Sequence, residues 1–266
     1  MSADLQLYTH PLSPCAQKVR IVLSEKQLPW ISRHVSLPDK ENLKPDYLAL
    51  NPLGVVPTLV ANGEPIIESS IICEFLEDQY PERSLRPGDN WQVAAMRFWM
   101  KHVDVKLHPS CGAIQWPMVM RDGLLAKSPE EQEAILAKIP EKPRRERQGR
   151  LLKLGLDAPD VADAVRIYRR TALDMEAALS SQEWVVSERF SLADAALAPY
   201  FQTLEQFCWT GIYADDCPNV VRWFEACRAR SSYAEGVMAD YTNVDLDQLA
   251  AQGRAQWTKI AQHLSI

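Results

Sequence analysis

The sequence lacks several features that would place it in a specialised class of protein. No apolar run approaches the roughly 20 residues of a membrane-spanning helix, although hydrophobic residues make up 47% of the 266 positions. The first residues lack the basic start, apolar middle and small-residue cleavage site of a secretory signal. We therefore expect a cytoplasmic protein that has no membrane partner.

Paired cysteines and an excess of positive charge are also missing. The six cysteines include no C-x-x-C pair, so neither a disulfide framework nor a zinc site is indicated, and no metal is expected. A net charge of −6 disfavours binding to nucleic-acid phosphates, so no nucleic acid is expected as a partner. One basic cluster, over 142–150, is predicted to be a solvated face or to form internal ion pairs.

The first part of the chain mixes strand and helix patterns. Alternating or β-rich runs predict four strands, over 4–10, 30–36, 55–61 and 65–68. Helical spacing predicts two helices, over 16–26 and about 69–80. The order is βαβ followed by ββα, which predicts a small mixed α/β domain over residues 1–82.

The rest of the chain shows the periodicity of helices. A linker over 81–90 contains two prolines and a glycine. Apolar residues then recur at steps of three and four over 93–107 and again over 161–179, which is the stripe of a helix facing a core. These patterns predict an all-helical domain over 91–266.

Two capping boxes mark further helices in this second domain. Ser128 begins one of them within a long connection over 123–157, and such a long connection is often functional. Ser191 and Asp194 form the other, ahead of the apolar run over 195–201. This capping box predicts that a buried helix begins here.

The strongest local signal is the run N-P-L-G-V-V-P-T-L over 51–59, followed by Glu68 and Ser69. Pro57 opens a predicted strand but cannot donate to its ladder, which suits an edge position or a cis bond. A cis bond would turn the N–H and C=O of Val56 outward, free to pair with an extended peptide. Glu68 and Ser69 precede a helix, where free N–H groups attract carboxylates. Taken singly, each of these residues could be an ordinary turn or cap residue.

Together these motifs resemble the cytosolic glutathione transferases, which share N-P-x-G-x-V-P-x-L followed by E-S. The resemblance implies a thioredoxin-like N-terminal domain that binds glutathione as co-substrate. It also implies a helical domain that holds a small hydrophobic electrophile, and a homodimer. The implied glutathione contacts are Lys44, Val56, Pro57, Glu68 and Ser69.

The run Ser13-Pro14-Cys15 resembles the S-S-C of zeta-class enzymes, the S-P-F of the tau class and the C-P-F-A of the omega class. By that similarity Ser13 takes the place of the activating serine or cysteine. A hydroxyl at a helix N-terminus would stabilise a thiolate, so Ser13 is predicted to activate the glutathione thiol, with a plain N-cap as the alternative. Cys15 could instead form a mixed disulfide with glutathione, or be buried and inert.

Four residues are assigned to the pocket for the second substrate: His10, Trp99, His108 and Trp116. The last three lie on or just after the first helix of the helical domain, which borders that pocket in the family. A single histidine or tryptophan in such a place is more often structural than a ligand contact.

A narrower resemblance, to the bacterial glutathione-dependent β-etherases, covers nearly the whole chain. It includes I-C-E-F-L-E-D over 72–78 and M-R-F-W over 96–99. Those enzymes use the glutathione thiol to displace an aryloxide α to a ketone. The predicted function is glutathione transfer to a hydrophobic electrophile such as an aryl ether. The alternatives are thiol transfer by Cys15 and ligand binding without catalysis.

Overall fold

The computed structural model describes residues 4–264. The first three and last two positions, which the predicted limits of 1–82 and 91–266 include, lie outside the described residues. Within them, an α/β part precedes a helical part, which confirms the predicted fold class. No helix of this range is both long enough and apolar enough to cross a membrane.

The N-terminal part contains a sheet of four strands in the order β2-β1-β3-β4. The strands are β1 Leu5–Thr9, β2 Ile31–His34, β3 Thr58–Ala61 and β4 Glu64–Ile66. β2 runs parallel to β1, whereas β3 pairs antiparallel with both β1 and β4. Leu5 and Leu7 are buried because β1 is central and packs against helices. Asn62 and Gly63 have φ values of 52° and 88°, which suits the predicted hairpin turn.

Three helices accompany this sheet: α1 Pro14–Glu25, α2 Pro45–Leu50 and α3 Ser69–Gln79. The first and third match the predicted helices within two residues at each end. α2 was not predicted, because its six residues are too short for an apolar period to be visible in sequence.

The helical part has ten α-helices within the described residues. They are α4 Asn90–His102, α5 His108–Val119, α6 Arg121–Leu125, α7 Pro129–Ala137, α8 Lys142–Leu154, α9 Pro159–Leu179, α10 Leu192–Gln206, α11 Pro218–Arg228, α12 Ser231–Gly236 and α13 Leu246–Ala261. A π-helical segment, Val103–Leu107, joins α4 to α5. Both predicted capping boxes are present, at the starts of α7 and α10.

The start of α1 lies at the junction of the two parts. α1 packs on α3 below the sheet and also on α10 and α12 of the helical part. Gly236 allows the approach of α12, since a Cβ there would stand 2.7 Å from the main-chain nitrogen of Ile21. Glu25 accepts hydrogen bonds of 2.5 and 2.8 Å from the guanidinium of Arg230. These contacts hold the second half of α1 against the helical part.

Candidate active site

A cleft of about 480 Å³ lies between the two parts of the molecule. One wall comes from residues before and within α1, the loop before β3, and the start of α3. The other wall comes from the π-helical segment, α5 and helices α6 to α8. The connection over 123–157 was predicted to hold one short helix, but it forms three, and all three contribute to this wall.

Ser13 is the N-cap of α1 and lines the cleft. Its φ and ψ of −93° and 108° are extended, and its Oγ accepts a hydrogen bond of 3.3 Å from the N–H of Ala16. Pro14 takes the first helical position, where a missing N–H costs nothing. The Ser13 hydroxyl proton has no acceptor among the described residues. The serine can therefore cap the helix and still donate to an anion in the cleft.

Cys15 forms a close cluster with two side chains of the helical part. Its Sγ lies 3.2 Å from Nδ1 of His108 and 3.3 Å from the hydroxyl of Tyr200. The hydroxyl and Nδ1 are themselves 3.3 Å apart. Cys15 is therefore buried, and its sulfur contacts two polar side chains of the helical part.

The charges of this cluster favour a thiolate. Burial raises the pKa of Cys15, but the charge and hydrogen bond of His108, the charge of Lys18 and the hydrogen bond of Tyr200 together lower it to about 6. The Cys15 charge in turn raises the pKa of His108, against the effect of burial. The His108 ring is accessible from the cleft, although protein surrounds it on most sides. The contact between the two side chains therefore favours the charged form of each.

The π-helical segment brings a carboxylate to the same cleft. Asp104 accepts hydrogen bonds from Lys18 Nζ at 3.2 Å and from the Ser70 hydroxyl at 2.9 Å. Lys18 also donates to Ser70 Oγ at 2.9 Å, and its side chain is fully buried. This network ties α1, α3 and the π-helical segment together, and it compensates the buried ammonium.

The loop before β3 presents free main-chain groups to the cleft. The Val56-Pro57 bond is cis, as predicted. Within the described residues the N–H and C=O of Val56 have no hydrogen-bond partner, whereas the adjacent C=O of Val55 accepts from the Tyr47 hydroxyl at 2.6 Å and from the Asn51 amide at 2.9 Å. The loop is therefore held from behind, and Val56 is free to bind a peptide.

Glu68 and Ser69 lie at the start of α3, at one end of the cleft. Glu68 has a φ of 69°, which is a strained conformation for a residue with a Cβ. Such strain is concentrated at functional sites. The free N–H groups at the start of this 11-residue helix make that end of the cleft attractive to a carboxylate.

The structure brings most of the predicted site residues together. The cleft is lined by His10, Ser13, Cys15, Val56, Pro57, Glu68, Ser69, His108 and Trp116. Lys44 lies outside the cleft, where it is exposed and pairs with Glu41 at 3.4 Å. Trp99 also lies elsewhere, with its ring edge-on to His102 at 5.8 Å between centroids.

Other cleft residues were not found from the sequence. Lys40 and Asn42 line the cleft in place of Lys44. Tyr200 contacts Cys15 but does not line the cleft; it lies within the buried apolar run of α10, where no local signal distinguishes it. Asp104 falls between apolar residues of the helical stripe.

The residues of the basic cluster over 142–150 fall into two groups in the structure. Its two ends form ion pairs, Lys142 with Glu146 at 3.7 Å and Arg150 with Asp160 at 2.6 Å, as predicted. Arg144 and Arg147 instead line the cleft. The expectation of a solvated face was therefore wrong for these two, because α8 packs across the cleft instead of lying apart from it.

Comparisons with known proteins agree with this architecture. Family models match twice: the glutathione S-transferase N-terminal domain over 12–79 and the glutathione S-transferase C-terminal domain over 115–231. Protein LigF of Sphingobium sp. (strain NBRC 103272 / SYK-6) is 29% identical over 236 residues, 87% of this chain and 92% of that protein. Glutathione S-transferase 3 of Zea mays is 30% identical over 241 residues, 89% of this chain and 95% of that one.

Solved structures show the same likeness. The crystal structure of β-etherase LigF from Sphingobium sp. strain SYK-6 matches with a TM-score of 0.80 and 27% identity, covering 89% of this chain and 98% of that one. A glutathione transferase homologue from Sulfitobacter, solved with bound glutathione, shares the fold at a TM-score of 0.65 and 24% identity, covering 88% and 96%. By its two domains and its likeness to full-length relatives, this chain belongs to the glutathione S-transferase family, whose enzymes use glutathione as co-substrate.

Proposed function

We propose that this enzyme binds glutathione along Val56 and transfers it to a hydrophobic electrophile. The observation that carries the proposal is the unpartnered N–H and C=O of Val56, which lie in a cleft between two helix starts. The cysteinyl part of glutathione would pair with Val56 as an added strand. Its γ-glutamyl carboxylate would meet Ser69 at the start of α3, and its thiol would meet Ser13 at the start of α1.

Ser13 would then hold the thiolate. A free thiol has a pKa of about 8.5, which leaves only a few per cent as thiolate at neutral pH. A lowering by one or two pKa units corresponds to about 1.4 to 2.8 kcal/mol, which one charge-assisted hydrogen bond and a helix dipole supply. The sulfur attacks a carbon of the electrophile, a C–S bond forms, and the leaving group departs with the electron pair of its bond.

The second substrate would lie against the helical wall. This wall is largely apolar and includes Trp116, Val119, Ile135 and Ile139. The likeness to β-etherase LigF supports an aryl ether as substrate, with an aryloxide as the leaving group. Cleavage of such an ether should release a phenol and leave glutathione attached to the carbon chain.

Variants of Ser13 separate its two roles. Ser13→Ala removes both the cap and the hydroxyl, whereas Ser13→Gly removes the hydroxyl at a cost of only a few tenths of a kcal/mol to the cap. Both variants should lower kcat/KM by about 10-fold or more if the hydroxyl donates to the thiolate, and Ser13→Thr should retain activity. Conjugation of 1-chloro-2,4-dinitrobenzene and cleavage of a β-aryl ether are the assays. Full activity in Ser13→Gly would remove Ser13 from the mechanism.

A second candidate function is thiol transfer at Cys15, which the contact between Cys15 and His108 favours. The Cys15 thiolate would attack the glutathione sulfur of a mixed disulfide, forming a Cys15–glutathione disulfide and releasing the substrate thiol. A second glutathione thiolate would then attack the glutathione sulfur of this disulfide, which forms oxidised glutathione and frees the Cys15 thiolate. Cys15→Ser should abolish this reduction and Ser13→Ala should not. The opposite pattern would reject the candidate.

We also infer that two copies associate through α4. Its exposed apolar side chains Trp91 and Phe98 lie seven residues apart and so share one face. α3 lies beside this face, tied to α4 by Arg97 and Glu74 at 2.9 Å, and exposes Ile71. A patch of this kind marks an interface.

Phe98→Asp should convert a dimer to a monomer in light scattering, whereas Leu154→Asp, also at an exposed position, should not. A wild-type monomer would reject the inference.

A cytoplasmic location fits the same proposal. All six cysteines are unpaired in the structure, and unpaired thiols are maintained in reducing compartments. Fractionation of cells that express the chain would test this location.

A further inference from the structure

Two arginines of α8 face the cleft without carboxylate partners. Arg144 and Arg147 both line the cleft, and neither forms an ion pair with an acidic residue among residues 4–264. The Nε of Arg144 is buried without a hydrogen-bond partner, and its Nη2 donates to the C=O of Leu53 at 2.8 Å. Both guanidinium groups are half-buried, so water satisfies them only in part.

Nearby acidic residues do not neutralise this pair. Asp160 is engaged by Arg150 through two hydrogen bonds of 2.6 and 2.9 Å. Glu141 lines the cleft but lies beyond ion-pair distance of both arginines. Burial lowers the pKa of Arg144 and of Arg147, and the charges of Glu141 and, for Arg147, of Asp160 offset this lowering only in part. An anion in the cleft would supply the remaining compensation.

The position of Arg147 supports a contact with the second substrate. The guanidinium of Arg147 lies next to Gly112 of α5, because a Cβ added at Gly112 would stand 3.6 Å from Nη2 of Arg147. Gly112 lies four residues after His108 on α5, about 6 Å along the helix axis, and His108 contacts Cys15 at the start of α1. Trp116, one further turn along, continues the same wall. The cation is therefore on the helical wall, among the apolar side chains that would contact the electrophile.

We propose that Arg147, assisted by Arg144, binds an anionic group of the electrophile, so that the preferred substrates are aromatic carboxylates rather than neutral molecules. The apolar body of such a substrate would pack against Trp116 and Ile139, and its carboxylate would accept paired hydrogen bonds from the planar guanidinium. This inference rests on the proposed function, because it names the substrate class of the same cleft. The glycine carboxylate of glutathione is the other anion that could reach these arginines.

Binding of an unreactive pair of probes tests the inference without turnover. The probes are 3,5-dinitrobenzoate and its neutral amide, 3,5-dinitrobenzamide, titrated by calorimetry into the glutathione-saturated enzyme. The benzoate should bind roughly 10-fold more tightly, as a charge-assisted hydrogen bond predicts. Arg147→Gln should abolish this preference and Arg147→Lys should keep part of it. Lys142→Gln removes the same charge from an exposed position of α8 and should leave the preference intact.

Titration of glutathione into the free enzyme separates the two sources of the carboxylate. Arg147→Gln should leave the affinity for glutathione within about 2-fold of wild type. A loss of glutathione affinity without any change in the benzoate preference would overturn the inference, and so would equal wild-type affinity for the two probes. Absence of glutathione binding, with the benzoate preference retained, would reject the proposed function instead and leave the anion site standing.

Discussion

The two walls of the cleft are built in different ways. The N-terminal wall relies on main-chain groups and helix starts, supplied by Ser13, Val56 and Ser69. The helical wall relies on side chains from segments far apart in sequence, with His108 on α5, Arg147 on α8 and α10 below them. The first wall suits the constant peptide of glutathione, whereas the second can change with the substrate, because side chains vary without disturbing the backbone.

The difference also concerns what stabilises each wall. Local caps and turns hold the N-terminal wall, while long-range contacts hold the helical one. Substitutions of matched kind in the two walls should therefore have unequal effects.

The largest effect is expected at Asp194, within the helical part. Its carboxylate accepts hydrogen bonds from the N–H groups of Val185, Ser191 and Trp223 at 2.9 to 3.0 Å. Asp194→Ala would leave these buried donors unsatisfied, so the free energy of unfolding should fall by about 3 kcal/mol or more. Ser13→Ala, which removes the N-cap of α1 in the N-terminal wall, should cost only about 1 kcal/mol. Urea denaturation measures both, and equal losses would contradict the distinction.

The next largest effect is expected at the contact between Cys15 of the N-terminal wall and His108 of the helical wall. His108→Gln removes the charge that opposes burial at Cys15, so the pKa of this thiol should rise from about 6 to above its ordinary value. Its thiolate fraction at pH 7 should then fall about 100-fold. The pH profile of iodoacetamide alkylation should show a midpoint near 6 in the wild type, with reaction above it, and a midpoint above 8 in the variant.

His102→Gln is the matched control for this experiment. His102 contacts Thr171 at 2.8 Å and lies outside the cleft. Its replacement should leave the alkylation midpoint unchanged. A wild-type midpoint near the ordinary thiol value would show that the two walls are not coupled.

The smallest effect is expected at the strained residue of the N-terminal wall. Glu68→Gly relieves a φ of 69° and should raise the free energy of unfolding by roughly 1 kcal/mol. The affinity for glutathione should fall at the same time, because the Glu68 carboxylate that would attract the α-ammonium of the γ-glutamyl group is lost from the cleft. Gln27→Gly relieves a similar φ of 54° far from the cleft, so it should stabilise the chain without affecting glutathione. If Glu68→Gly leaves the affinity for glutathione unchanged, the strained φ of Glu68 has no role in glutathione binding.

The success of sequence-based prediction differs between the walls for the same reason. Val56, Glu68 and Ser69 were found because turn, cap and proline signals are local. Lys44 shows the limit of that approach. A 3-10 turn over 41–43 separates it from Lys40, and the rotation of the chain leaves Lys40 at the cleft and Lys44 in solvent.

The sequence by itself determined the strands, the helix caps, the cis bond and the free main-chain groups of Val56, because each depends on residues close together in the chain. Only the tertiary structure decided that Tyr200 lies 3.3 Å from Cys15, across 185 positions. It also decided that Arg147 faces the cleft. Such contacts depend on how whole helices pack, and no local pattern of residues specifies the turn of one helix against another.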